Sequence, residues 1–156
     1  MNRVKVLFVC TYYGGRAKIA ERVASRLTDA EYDFFSSGFE SGALGGFCLE
    51  VMKGEDPNFP TSPLKTIFER YYDGERFDHV ITLCDDVTFE HCALLLNSVS
   101  NLFSNTSQLV HWSIPDFLSL EGSDLDKKDG AEKIRDSIKD CVSSFLRELA
   151  VLGVEL

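Results

Sequence analysis

Apolar residues run almost unbroken from Val4 to Val9, interrupted only by Lys5. Such a run predicts a short strand covered on both faces. After the loop Cys10-Thr11-Tyr12-Tyr13-Gly14-Gly15-Arg16 the period changes. Ile19, Ala20, Val23, Ala24 and Leu27 recur at helical spacing, with Lys18, Glu21, Arg22 and Arg26 between them, which predicts an amphipathic helix. Tyr32 to Ser36 predicts a second strand, closed by Ser37-Gly38. The stretch 42–63 concentrates glycine and proline and predicts loop, with a short helix starting at Leu49 to Met52. Leu64 to Tyr72 reads as helix. His79 to Leu83 reads as a buried third strand ending at Cys84-Asp85-Asp86, and Leu109 to Trp112 as a fourth. In Ala131 to Leu149, residues Ile134, Ile138, Cys141, Val142, Phe145 and Leu149 share one helical face. The charged run from Asp124 to Lys128 reads as a solvated loop or the start of that helix.

Strands alternating with helices predict an α/β fold: a three-layer domain whose parallel four-stranded sheet, in order 2-1-3-4, is flanked by helices. The 156 residues fit one such domain, spanning 1–156, with no repeat or interdomain linker. In these sheets the ligand sits beyond the carboxyl ends of the strands. Three segments rich in chemistry fall at those ends: Cys10 to Arg16, Cys84 to Asp86, and Ser113 to Asp116.

Charge narrows the partners. Sixteen Lys+Arg against twenty-five Asp+Glu give a net charge of −9, which repels nucleic acid and anionic membrane. No apolar run approaches the roughly 18 residues of a membrane span, and Val6 to Val9 is too short for a secretory signal. A cytoplasmic monomer is the expectation. The five cysteines (10, 48, 84, 92, 141) are an odd number in a chain without the features of a small secreted domain, so a disulfide scaffold is not expected.

The first loop has the make-up of an oxyanion cradle. Backbone N–H groups of Thr11, Tyr12, Tyr13, Gly14, Gly15 and Arg16 can surround a tetrahedral anion at a helix N-terminus. Arg16 can grip two of its oxygens. The same positive field is expected to lower the pKa of Cys10, making it a nucleophile in line with a bound phosphorus or arsenic. Spacing alone is weak evidence, since Cys141 and Arg147 are separated by the same five residues inside the last helix. That pair has neither the strand nor the glycines, and Cys141 belongs to the apolar face.

Several separated segments resemble the low-molecular-weight tyrosine phosphatase fold family, and within it the thioredoxin-coupled arsenate reductases. Val6-Leu7-Phe8-Val9-Cys10, Arg16 and Ala20-Glu21 match the opening motif, and Ser36-Ser37-Gly38 the serine and glycine after the second strand. Phe77 to Asp85 with Cys92 resembles the reductase segment that carries two redox cysteines. His111 to Asp116 matches the segment with the acidic residue, and Lys133 to Ile138 the last helix. The resemblance implies that Cys10 attacks arsenate, that Cys84 attacks Cys10 and releases arsenite, and that Cys92 attacks Cys84. The Cys84–Cys92 disulfide is then reduced by thioredoxin. It implies Arg16 as oxyanion clamp, Asp116 as general acid, and no metal or other cofactor. Exchange of this kind needs the segment from Asp85 to His91 to move, with Cys92 on a surface loop.

The loop departs from the family pattern. Tyr13 stands where the family commonly has an asparagine that shapes the loop. Ala17 stands where a serine or threonine hydroxyl donates to the thiolate. Phe117 and Ala93 replace prolines that commonly follow the acidic residue and the last cysteine. Three functions therefore remain open: an arsenate reductase of the thiol-relay type, a phosphatase acting on phosphotyrosine or small phosphate esters, and a non-catalytic domain binding an oxyanion or a protein partner. Cys84, His91 and Cys92 lack a standard zinc-ligand spacing, and no metal is assigned. Cys48 has no evident partner.

Overall fold

In the computed structural model, residues 3–28, 31–85 and 92–155 are described. The elements follow in the order β1 (Val4–Cys10), α1 (Gly15–Leu27), β2 (Tyr32–Gly38), α2 (Phe47–Met52), α3 (Ile67–Tyr72), β3 (His79–Cys84), α4 (Cys92–Phe103), β4 (Gln108–Ser113) and α5 (Asp124–Glu155). The four strands form one sheet in order β2-β1-β3-β4, and every pairing is parallel. The expected α/β architecture and strand order are both present.

Two-residue alternation divides the core. Val6, Phe8 and Cys10 point to one face and pack with α1, α2 and α5. Leu7 and Val9 point to the other and pack with Ile67, Val80, Cys84, Cys92 and Leu95. With both faces covered, β1 has no solvated side, which accounts for its apolar run. Trp112 packs at 5.9 Å from Phe8 and 6.1 Å from Phe145, partly buried against the core.

The boundaries differ from expectation where polar chemistry decides them. Helix α3 begins at Ile67, because Thr66 caps it and exchanges a reciprocal pair of hydrogen bonds with Glu69. Helix α5 begins at Asp124, so the charged run is helix, supported by acidic residues in its first turn. Helix α4 was not expected. Its stripe of Cys92, Leu95, Val99 and Phe103 has helical spacing and is buried.

Ion pairs from Arg22 and, at 3.9 Å, Arg26 tie α1 to Asp56 in the segment after α2. The Arg22 guanidinium donates to both oxygens of Asp56, at 2.6 and 2.8 Å, and that carboxylate is 1% exposed. These hydrogen bonds hold the Asp56 carboxyl below the ordinary carboxylate range. We expect Asp56→Asn to cost about 1.5–3 kcal/mol at pH 7. A depressed carboxyl pKa stabilises the fold above the unfolded value of about 3.9, and the effect is lost as pH falls through the lower folded value. Urea unfolding of wild type and variant should therefore differ most at neutral pH and converge in acid.

Candidate functional site

The loop after β1 is shaped by close backbone contact. Gly14, at φ 91°, is in the left-handed region, and a Cβ there would lie 2.8 Å from a Leu64 methyl carbon. A Cβ on Gly38 would overlap the Tyr12 carbonyl, which explains the glycine that ends β2 beside this loop. Tyr12 itself has φ 56° and accepts a hydrogen bond from the Glu40 N–H at 2.9 Å. The chain thus turns sharply between Cys10 and the start of α1 at Gly15.

Cys10 ends β1 and is 1% exposed. The Ala17 N–H donates to its Sγ at 3.4 Å. Arg16, 2% exposed, donates to the Ile114 carbonyl at 2.7 Å and to the Thr11 hydroxyl at 2.7 Å. It therefore bridges the loop to the chain leaving β4. Asp116, 8% exposed, follows that chain. Its carboxylate accepts the Leu118 N–H at 3.3 Å and caps a short 3-10 turn at Phe117–Ser119. Cys10, Thr11, Tyr12, Tyr13, Gly15 and Arg16 line one cavity of about 520 Å³, and Asp116 lines it too. Of the three strand-end segments expected to converge, those from Cys10 to Arg16 and from Ser113 to Asp116 meet at this cavity, whereas Cys84 does not line it and packs in the cluster on the other face of the sheet.

Two features of the cavity were not legible in the sequence. Cys48, on α2, lines it beside the loop, and its sulfur would lie 3.1 Å from a Cβ on Gly15. Burial pushes the Cys48 thiol up to about 12, so it stays protonated near neutrality. Phe117 and Leu118 add an apolar wall. Nothing in the spacing of residues 42–48 announces this placement. Tyr13 is at the rim, 45% exposed, its ring lying across Gly42 where any side chain would collide with it. It does not fill the cavity.

The electrostatics correct one expectation. Burial pushes the Cys10 thiol above its ordinary value; Arg16 and the N–H groups of Ala17 and Arg16 pull it down, and Asp116 pushes it up again. The loop field acts in the expected direction, but desolvation outweighs it. A hydroxyl at position 17 would add a donor to the thiolate. Ala17→Ser is expected to lower the Cys10 pKa by about one to two units, the equivalent of roughly 1.5–3 kcal/mol. The rate of Cys10 alkylation against pH, followed by peptide mapping, measures this shift.

Cys84 and Cys92 are joined in a disulfide, with 5.7 Å between their Cα atoms. Cys92 is 6% exposed at the first turn of α4, which overturns its expected place on a surface loop. Pairing with Cys84 draws it onto the sheet. The register pairs Cys10 with Leu83, so Cys84 lies one position beyond, in the core cluster on the opposite face. The stretch between the two cysteines, from residue 86 to His91, lies outside the described residues. Among the described residues, one group of side chains could hold a metal: Cys84, Cys92 and His111. Also among them, no helix is long and apolar enough to cross a membrane.

No family model matches the chain. It is 26% identical over 145 residues to an arsenate reductase of Halalkalibacterium halodurans, covering 93% of this chain and 96% of that one. A protein tyrosine phosphatase of Entamoeba histolytica superposes with a TM-score of 0.65 at 16% identity, over 94% of this chain and 96% of the other. A thioredoxin-dependent arsenate reductase of Corynebacterium glutamicum superposes with a TM-score of 0.58 at 18% identity, over 96% of this chain and 63% of its own. Strand order, the loop on β1 and these likenesses agree: the chain has the fold of the low-molecular-weight tyrosine phosphatases, and the sequences it is similar to, at 23–27% identity, are arsenate reductases.

Proposed function

We propose that the protein reduces arsenate to arsenite by a thiol relay, with thioredoxin as its reductant, acting as a cytoplasmic monomer. The observation that carries this reading is the Cys84–Cys92 disulfide at the end of β3, the strand paired with the one that ends at the buried Cys10. A phosphatase returns its cysteine to the thiolate when water attacks and uses no second thiol. A reductase must move two electrons, and a dithiol that closes is where they come from.

In the proposed cycle the loop N–H groups and Arg16 hold arsenate against Cys10. The Cys10 thiolate forms a sulfur–arsenic bond as an arsenic-bound oxygen leaves as water, protonated by Asp116. The Cys84 thiolate then attacks the Cys10 sulfur. The sulfur–arsenic pair passes to arsenic, arsenite departs, and Cys10 and Cys84 are joined. Attack by Cys92 on Cys84 frees Cys10 and leaves the disulfide seen here, which two thioredoxin thiols reduce. Because Cys10 and Cys84 occupy opposite core clusters in the disulfide state, their meeting requires Cys84 to leave the α4 face.

Supplying thioredoxin, its reductase and NADPH, and measuring arsenite made per NADPH consumed, tests the reading beside a phosphate-ester assay. One arsenite per NADPH supports it. Ester hydrolysis without arsenite favours the phosphatase reading instead.

A further inference from the structure

Cys84, Cys92 and His111 meet on the face of the sheet opposite the Cys10 loop. Strand register pairs Thr82 with His111 and Cys84 with Ser113. Alternate residues of a strand share a face, so Thr82, Cys84 and His111 all project toward α4. Helix α4 opens with Cys92 on that same face. The two sulfurs and a ring nitrogen of His111 lie within 4.8 Å of one another. Cys84 is fully buried and Cys92 nearly so, while His111 is half-buried. The Thr82 hydroxyl and His111 Nδ1 are 2.8 Å apart, a hydrogen bond that fixes the ring. An oriented imidazole beside two thiols is the donor set of a three-ligand zinc site.

We propose that the reduced chain binds one thiophilic divalent cation, with Zn²⁺ as the fitting ion, through Cys84, Cys92 and His111, and that closure of the disulfide expels it. Tetrahedral bonds of about 2.3 Å to sulfur and about 2.0 Å to nitrogen place the donors roughly 3.5–3.8 Å apart. Opening the disulfide lets the sulfurs separate to that spacing within the cluster. Binding releases the two thiol protons, and water completes the fourth position. Oxidation removes two electrons from the two thiolates, joins them, and leaves the cation a single imidazole. The site is thus a dithiol lock: a bound cation keeps both sulfurs out of exchange. Its third donor comes from β4, remote in sequence, which is why local spacing around the cysteines does not reveal it. The site does not depend on arsenate reduction, because metal binding is its readout.

The test titrates Zn²⁺ into the reduced chain without oxygen, against a chromophoric chelator, with circular dichroism as a check on folding. One Zn²⁺ per wild-type chain is expected. Diamide, which takes up the two electrons and two protons as a hydrazine, should release it, and renewed reduction should restore binding. Cys10→Ser should bind as wild type does. His111→Ala should bind at least about tenfold more weakly, on the scale of losing a supporting metal contact. A Co²⁺ adduct should show a thiolate-to-metal charge-transfer band that falls by about half in Cys92→Ser. The wild-type redox cycle needs no substitution, so misfolding of a variant cannot hide the answer. Equal binding by oxidised and reduced chains, unchanged affinity in His111→Ala, loss of binding in Cys10→Ser, or a Co²⁺ adduct without the band would each overturn the proposal.

Discussion

Cys92→Ser is expected to halt arsenate reduction after one turnover, with a Cys10–Cys84 disulfide accumulating and steady turnover falling on the order of 10³-fold or more. The expectation follows from the bond that closes the site. Cys92 is buried against Cys84, and it is the nearby thiol that can free Cys10 by attacking Cys84. Serine fills nearly the same volume but cannot take part in disulfide exchange. The first two steps remain, so arsenite should appear once, in an amount equal to the protein. Cys84→Ser should differ, leaving Cys10 without an exchange partner and abolishing even that first release. Rapid-quench arsenite assays with non-reducing peptide mapping distinguish the two variants. Many cycles by Cys92→Ser with thioredoxin as sole reductant would rule out its role in the relay.

The second large effect concerns Arg16. Its guanidinium donates at once to Ile114 and Thr11, and it lines the cavity beside Cys10. That geometry needs a planar group with several donors in fixed directions. Lysine keeps the charge but presents one compact ammonium. Arg16→Lys is expected to cut turnover by about 10²–10³-fold, the scale of losing a donor aimed at developing charge. A fall in kcat larger than the rise in KM would place the loss in the transition state, and unfolding by urea would separate it from a stability effect. A change of less than about threefold would show that the clamp is not Arg16.

Much of this site could be read before any coordinates. The inner strands β1 and β3 carry nearly unbroken apolar runs, and the alternation of strands with helices pointed to a parallel sheet. Cys10 and Arg16 were legible because a strand end, glycines and a helix start confine them to one loop at the carboxyl end of the sheet, and Asp116 because its segment resembles the one that carries the family's acidic residue. What escaped was set by contacts between distant segments. Cys48 reaches the cavity because α2 packs against the loop at Gly15. Cys92 is buried because it pairs with Cys84, a constraint that local polarity does not express. The raised Cys10 pKa comes from complete burial, which a loop's composition does not measure. Helix α4 did have a signal: Cys92, Leu95, Val99 and Phe103 at helical spacing.

The most direct test is to treat the fully reduced wild-type chain with one equivalent of arsenate, without reductant, and map its disulfides by mass spectrometry while counting arsenite. The relay predicts one arsenite for each Cys84–Cys92 disulfide formed, with Cys10, Cys48 and Cys141 remaining as thiols. Arsenite formed without that disulfide, or no arsenite at all from a chain that hydrolyses phosphate esters, would contradict it.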